Sequence, residues 1–355
     1  MTASEQTALR TAFYSISAQD DNLGDLEIRR IVLGWILPIH KEVVVYTGSM
    51  SKTYMDAFPQ SSVRFVSNPL LFQLLFLRHA VTGDANLVYA PGPQRVGTRR
   101  SLRKGAINLL NLSIARIRGG RSIAIGRAFS GSTDGKIKID RSIARSFDLI
   151  TVRDHASGEA VGTELRVAPD VAFAAGNSAP DNEQIRSKIC FSLRGDRNLN
   201  HEMVAALVRS ARQLNWDVEF VTQVKRDDVL HQQLAEIYHA DLVAWTSEPH
   251  LIQLKRVSSA YGKAAVVVTN RLHAALFATN AGAVPVAVED GTRKLQLTLA
   301  PWLSMPILTP ETPTLDLERV AALSGELSRQ RSVAQSELEQ IQREAAAILQ
   351  MTDRA

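Results

Sequence analysis

The sequence predicts an α/β protein built from two Rossmann-like domains whose parallel sheets face a central cleft. Three observations carry this expectation. Short runs rich in Val, Ile and other strand formers recur along the 355 residues. Many are continuously apolar rather than alternating, as in parallel strands covered by helices on both faces. Helix-like segments separate them, giving the strand–helix alternation of α/β units. The chain is too long for one ordinary core, and roughly 100–200 residues per domain implies two.

In chain order, the expected strands of the first half are 42–48 (EVVVYTG), 62–68, 86–92, 121–127, 148–154 and 165–170. Those of the second half are 188–195 (KICFSLRG), 217–223, 241–247, 264–270 (AAVVVTN) and 284–290. Between the halves, 173–188 holds Gly, Asn, Ser, Pro and Asp without a hydrophobic period and reads as a linker. The expected domains are therefore 1–177 and 178–314. Residues 315–355 form a helical tail whose charges and small apolar residues suggest amphipathic helices packing back across the hinge. No internal repeat or low-complexity segment is found.

Composition narrows the function classes. Lys and Arg number 41 against 36 Asp and Glu, a formal net charge of +5, which suggests an anionic partner. The lone Cys190 lies inside an apolar run, can form no internal disulfide and reads as a buried, inert thiol in a reducing cytoplasm. Paired Cys or His at zinc spacing are absent, so no metal is expected. The N-terminus has no secretory pattern, and the apolar run 69–77 (PLLFQLLFL) falls short of the about 20 residues of a membrane span. Residues 95–121 hold eight Arg or Lys and no acid, with Leu102, Ile107, Leu110, Ile114 and Ile117 roughly on one helical face. A basic amphipathic helix of this kind packs on the sheet with a solvated rim, or lies peripherally on the inner membrane surface. Nucleic acid is not expected, because stacking aromatics and recognition motifs are missing.

Ligands of open parallel sheets bind beyond the carboxyl ends of the strands. Three expected strands end on arginine: Arg153, Arg194 and Arg271. The planar guanidinium fork suits carboxylate and phosphate, so a small polyanion is the natural guest. His273 follows Arg271 by two residues, at the start of a helical pattern, where imidazole can exchange protons near neutral pH and free N–H groups favour anions. Arg293 and Lys294 follow the last strand and either close over the anion or form an exposed basic pair. Asn22, Gly24 and Asp25 form a polar turn before a helix, which reads as an N-cap or as a place where glycine lets a ligand approach closely.

In order, NLGDLEI (22–28), VYAPGPQ (88–94), IAIGRAF (123–129), DLITVRDHAS (148–157), VAPDVAF (167–173), ICFSLR (189–194), FVTQVKRDD (220–228), VVTNRLHAALFATNAGAVPVAV (267–288) and RKL (293–295) resemble the polysaccharide pyruvyl transferase family. The resemblance spans most of residues 20–300. It implies a GT-B-like fold. It also implies transfer of the enolpyruvyl carbons of phosphoenolpyruvate (PEP) to a sugar of a cell-surface polysaccharide or lipid-linked glycan as a pyruvate ketal, with release of phosphate. The R-L-H motif maps onto Arg271, Leu272 and His273, with His273 as the acid/base. The remaining PEP contacts map onto Arg153, Arg194 and one of Arg293 and Lys294. Acceptor contacts map onto Asn22, Gly24 and Asp25, with the acceptor on the N-terminal side and the donor on the C-terminal side. The chain departs from the family in APGPQ, where a double glycine is usual. Acidic or aromatic residues near the last basic pair are also not clearly matched in EDGTRKL. Two other readings stay open: a GT-B glycosyltransferase using a sugar nucleotide, with Glu289 and Asp290 available to its ribose, and a non-catalytic anion- or glycan-binding module.

Overall fold

The computed structural model describes residues 9–131, 137–176, 186–289, 291 and 294–351. The chain divides into two compact units. One contains residues 1–20, 28–171 and 337–355, the other residues 21–27 and 172–336. The boundary between the halves falls at 171/172 instead of 177/178, and the unit limits differ from the sequence-derived domains in two further places. The segment 21–27 belongs with the second unit, and the tail is divided at 336/337 instead of standing apart.

The first unit is built on strands β1 (Thr11–Ser15), β2 (Glu42–Tyr46), β3 (Val63–Val66), β4 (Ala85–Tyr89), β5 (Gly92–Val96), β6 (Ser122–Gly131), β7 (Leu149–Val152) and β8 (Arg166–Val167). They run parallel in the order β3-β2-β1-β4-β6-β7-β8, with β5 added on β6. The expected strands all appear. The central strand β1, however, was not among them, because TAFYS mixes small, polar and aromatic residues without a readable period. Burial explains its place: Ala12, Phe13 and Tyr14 are inaccessible, and the Phe13 ring meets Phe72 and Phe76 edge-on at 5.6 and 5.4 Å. Pro93 can sit in β5 because this strand pairs only with β6, so its missing N–H is not needed.

The turn APGPQ is tied down by Arg127. The Arg127 guanidinium donates to the Ala90 carbonyl at 2.5 Å and to the Gln94 side-chain oxygen. Arg127 follows Gly126, whose φ of +66° marks the irregularity of β6 and suits a residue without Cβ.

The tail forms a helix, Ser324–Gln350, with Leu327, Ala334, Leu338, Ile341, Ala345 and Leu349 buried along one face. Its second half is anchored in the first unit. Arg166 donates to Glu337 at 2.8 Å and to Glu344 at 2.7 Å. Fully buried Asn86 donates to the Leu349 carbonyl at 2.9 Å, accepts from the Arg121 amide at 2.9 Å and lies 3.1 Å from His40 Nε2.

The second unit holds β9 (Lys188–Ser192), β10 (Asp217–Val221), β11 (Asp241–Val243), β12 (Val266–Thr269), β13 (Val284–Val288) and β14 (Ile307–Leu308). These strands are parallel in the order β11-β10-β9-β12-β13-β14. Two parallel-sheet α/β units are thus present, as the sequence predicts. Between β12 and β13 the helix Leu272–Asn280 is almost wholly buried from Ala274 onward. Arg331 donates to the Thr279 and Asn280 carbonyls at the end of that helix, at 3.2 and 3.0 Å. The Cys190 thiol is buried in β9 with its pKa raised by desolvation, in keeping with an inert role.

The Asn86 contacts generate a stability prediction. Asn86→Leu leaves a buried N–H and a buried carbonyl without partners, at about 1–3 kcal/mol each. A urea titration should show a loss of about 3 kcal/mol or more, and hydrogen exchange should show early opening of residues 345–350.

Candidate functional site

All strands of the second sheet end along the same edge, and polar residues follow β10 and β12 directly and β9 after Leu193. Thr269 closes β12 by donating to the Ser192 carbonyl at 2.6 Å and accepting from the Arg271 amide at 3.0 Å. Asn270 accepts from the Arg194 amide at 2.9 Å, so the ends of β9 and β12 are stitched together by side chains. Arg271 is then the N-cap of the Leu272–Asn280 helix, in extended conformation.

The Arg271 side chain is not an unpaired cation at a strand end. Its Nε and Nη2 donate to the two oxygens of Asp227 at 2.5 and 2.6 Å. Asp227 is 1% exposed and also accepts from the Gly195 amide at 2.9 Å. One buried carboxylate thereby joins the ends of β9, β10 and β12. Arg194 pairs in the same two-pronged way with Asp196, at 2.8 Å for both bonds. That guanidinium, with help from Arg271, holds the Asp196 carboxyl down at about 2. Arg226 forms a third such pair with Asp21, at 2.8 and 2.6 Å. Each carboxylate takes the Nε/Nη2 edge of its guanidinium, and a guanidinium has a second, outer edge of donors. Among the described residues, no three His, Cys, Asp or Glu side chains converge as metal ligands.

The N-x-G-D turn groups with this unit. Asn22 bridges to Val224, the Leu23 amide donates to the Gln223 carbonyl at 3.3 Å and the Lys225 amide to the Asp21 carbonyl at 2.9 Å. The Asn22 side chain accepts from the Gly24 amide at 3.0 Å and the Asp25 amide at 3.5 Å, the N-cap expected of it. Gly24 lies against the His273 side chain: a Cβ at Gly24 would overlap its Nδ1, Cγ and Cβ. The glycine therefore permits the close approach of the His273 side chain to the turn.

Arg153 behaves differently. It lies in the first unit, 3% exposed, and donates to Asp170 at 3.1 Å in a buried pair. The partner acid lies seventeen residues away, and no local pattern in the sequence shows it. Arg293 lies outside the described residues. Lys294 opens the helix Lys294–Leu299, and Leu272 is half-buried in the first turn of its own helix.

The model of the polysaccharide pyruvyl transferase family matches residues 22–290. The chain is a member of that family. Membership brings a transferase acting in polysaccharide pyruvylation, with a sugar or polysaccharide as acceptor. Among solved structures, Anabaena Alr3699/HepE, determined in complex with UDP, is 12% identical, with TM-score 0.59 over 96% of this chain and 99% of that one. Glycyrrhiza uralensis UGT73P12, complexed with glycyrrhetinic acid 3-O-monoglucuronide, is 10% identical, with TM-score 0.53 over 96% of each chain. An O-GlcNAc transferase mutant of Thermobaculum terrenum is 13% identical, with TM-score 0.50 over 97% of this chain and 70% of that one. Similarity at this identity establishes the GT-B-like fold and nothing finer. No curated protein matches the chain in sequence.

In this pyruvyl transferase family member, sequence reasoning overlooked Asp227, Asp196, Arg226 and His231. For the acids the signals were in RGD, where Asp196 follows Arg194 by two residues, and in KRDD. His231 is fully buried, accepts from the Leu193 amide at 2.9 Å through Nε2 and bonds Thr222 at 2.9 Å through Nδ1, which makes it the neutral Nδ1–H tautomer. Burial lowers its pKa to about 4. It braces the Leu193–Arg194 turn from behind.

Two predictions follow from this geometry. Gly24→Ala must displace the His273 ring, at the roughly 1–3 kcal/mol of an overpacked contact. Gly34→Ala, farther along the same helix where a Cβ meets nothing within 4 Å, should be neutral or stabilising in the same denaturant titration. The second concerns acid. An unfolded histidine protonates near pH 6.5 but His231 only near 4, so its contribution is present above about 6.5 and is lost as pH falls toward about 4. Thermal melts of His231→Gln should therefore lose less Tm over that window than the natural chain, and parallel losses would refute the assignment.

Proposed function

We propose that the chain moves the enolpyruvyl group of PEP onto two hydroxyls of one sugar, in a cell-surface polysaccharide or its lipid-linked precursor, as a pyruvate ketal. What supports this reading above all is the Arg271-Leu272-His273 corner. It stands at a helix N-terminus, with the arginine braced by Asp227 and the histidine by Gly24. Family membership supplies the reaction class.

The chemistry needs charge neutralisation and proton transfer. Two C–O bonds form at C2 of PEP and the bond from C2 to the phosphate oxygen breaks. Of the two hydroxyl protons, one ends on the methylene carbon, which becomes methyl, and the other leaves with phosphate. The outer edge of Arg271 would hold the phosphate or carboxylate, and Asp227 on its inner edge keeps the fork from turning away. Arg194, fixed in the same way by Asp196, is the second donor contact in this reading. The positive N-terminal end of the Leu272–Asn280 helix adds to the attraction for anionic oxygen. His273 would take the hydroxyl proton or give one to the enol carbon or the leaving group. Leu272 separates the two functional groups by one residue. Arg153, paired with Asp170, is left out of the donor site.

Thermal-shift titration with PEP tests donor binding, and phosphate release with PEP and a panel of hexosides tests turnover. PEP should raise Tm in the natural chain and in His273→Ala. Turnover of His273→Ala should fall by about 10²-fold or more, the low end of general acid–base contributions. Arg271→Lys keeps a charge beside Asp227 but loses the fork, and should weaken PEP binding at least about ten-fold. A Tm response to UDP or UDP-sugars and none to PEP would assign a nucleotide donor instead. PEP binding without phosphate release on any acceptor would make the chain a binding module.

A further inference from the structure

The first unit carries a second surface that the reaction does not use. The helices Pro69–Val81 and Arg99–Ile117 run side by side over its sheet. Gln73 and Asn111 exchange two amide hydrogen bonds at 2.7 and 3.0 Å, and Arg118 Nε donates to the Val81 carbonyl at 2.8 Å. The sequence separations of these links are 38 and 37, so the helices are parallel and in register. Their inner faces reach the core through Leu75, Phe76, Leu112 and Ala115.

The outer faces are unusual. Leu70, Leu74 and Val81 of the first helix are 74%, 64% and 58% exposed. Ile107, Leu110 and Ile117 of the second are 54%, 57% and 81% exposed. The spacings i, i+4, i+11 and i, i+3, i+10 place each set on one stripe of its helix. The register lays the stripes beside each other over a length of about 16 Å. Isolated exposed leucines are ordinary, but two registered apolar stripes form a contiguous patch of the kind that marks an interaction surface.

The charge around the patch indicates what covers it. Residues 57–118 contain nine Arg or Lys and a single acid, Asp84. Asp84 is already held by Lys41 at 2.7 Å and His79 at 2.9 Å. On the two helices, Arg78, Lys104, Arg116 and Arg118 are exposed beside the apolar residues. A second copy of the chain would set one basic stripe against another. An anionic lipid surface instead takes the apolar side chains at the acyl boundary and the cations among its phosphates. Among the described residues no helix is long and apolar enough to cross a membrane, so the contact is with the surface.

We propose that the paired outer faces of the 69–81 and 99–117 helices are a docking surface for an anionic bilayer. This does not depend on the identity of the donor or the acceptor. The 69–77 run, too short to span a bilayer, contributes half of the surface. Docking there would keep the enzyme at the leaflet where lipid-linked glycans are held.

The test is flotation of the full chain with vesicles of phosphatidylcholine alone, or with roughly one part phosphatidylglycerol to three of phosphatidylcholine. The natural chain should float with the anionic vesicles at least about ten-fold more than with neutral ones. Leu74→Glu with Leu110→Glu should lower anionic-vesicle binding by about ten-fold or more, while the urea midpoint stays unchanged because both side chains point to solvent. Val229→Glu, an exposed apolar residue of the other unit, should change nothing. Lack of flotation, equal flotation on neutral vesicles, or full binding by the double variant would overturn the proposal. So would sedimentation showing a dimer that the double variant converts to monomer, since the patch would then belong to a second copy.

Discussion

Asp227 is the constraint on which the candidate site depends. A carboxylate at 1% exposure must be compensated, and here it takes two N–H groups of Arg271 and the amide of Gly195. Those three bonds reach from the end of one strand to the ends of two others. Removing either partner of such a buried pair costs about 3–5 kcal/mol, so the geometry of the loops and the position of the arginine are one property. The same pair explains how a cation can stand ready at a strand end without collapsing onto the surface. Its inner edge is satisfied, and its outer edge keeps a fixed direction.

The parts around this pair follow the same logic of satisfied polar groups at one edge of a sheet. Thr269 and Asn270 bond the ends of β12 and β9, neutral His231 supports the Leu193 amide, and Arg194 and Arg226 each carry their own carboxylate. Every cation the proposed donor site draws on is therefore held in place before a ligand arrives, the condition under which electrostatic stabilisation is strongest. The opposite holds over the outer helices of the first unit, where cations stand beside exposed apolar groups and acids are nearly missing. A rigid, internally compensated charge cluster suits a small anion. An uncompensated, spread-out one suits an extended anionic surface.

Much of this was legible in the residues. VVVTNRLH shows a buried strand ending in a cation and an imidazole, and hydrophobic run length alone puts that corner at a sheet edge. The helical tail was legible from its amphipathic pattern, and Ser324–Gln350 buries one face. The strand at 11–15 was not, because the two-sided burial that makes it central leaves no alternation to read. The acids opposite the arginines were equally hidden: Asp227 lies 44 residues before Arg271, and Asp170 lies 17 beyond Arg153.

The sequence by itself determined the class of fold, the family and the corner where Arg271 and His273 stand, since strand burial, helix starts and ordered motifs are local properties. Only the tertiary structure decided what those residues face. It brought Asn22–Asp25 across some 250 residues of chain to lie against His273, gave each arginine its carboxylate and set two apolar helix stripes side by side. Contacts of that kind depend on which strand ends and helix faces become neighbours when the sheets assemble, and a one-dimensional pattern does not contain that.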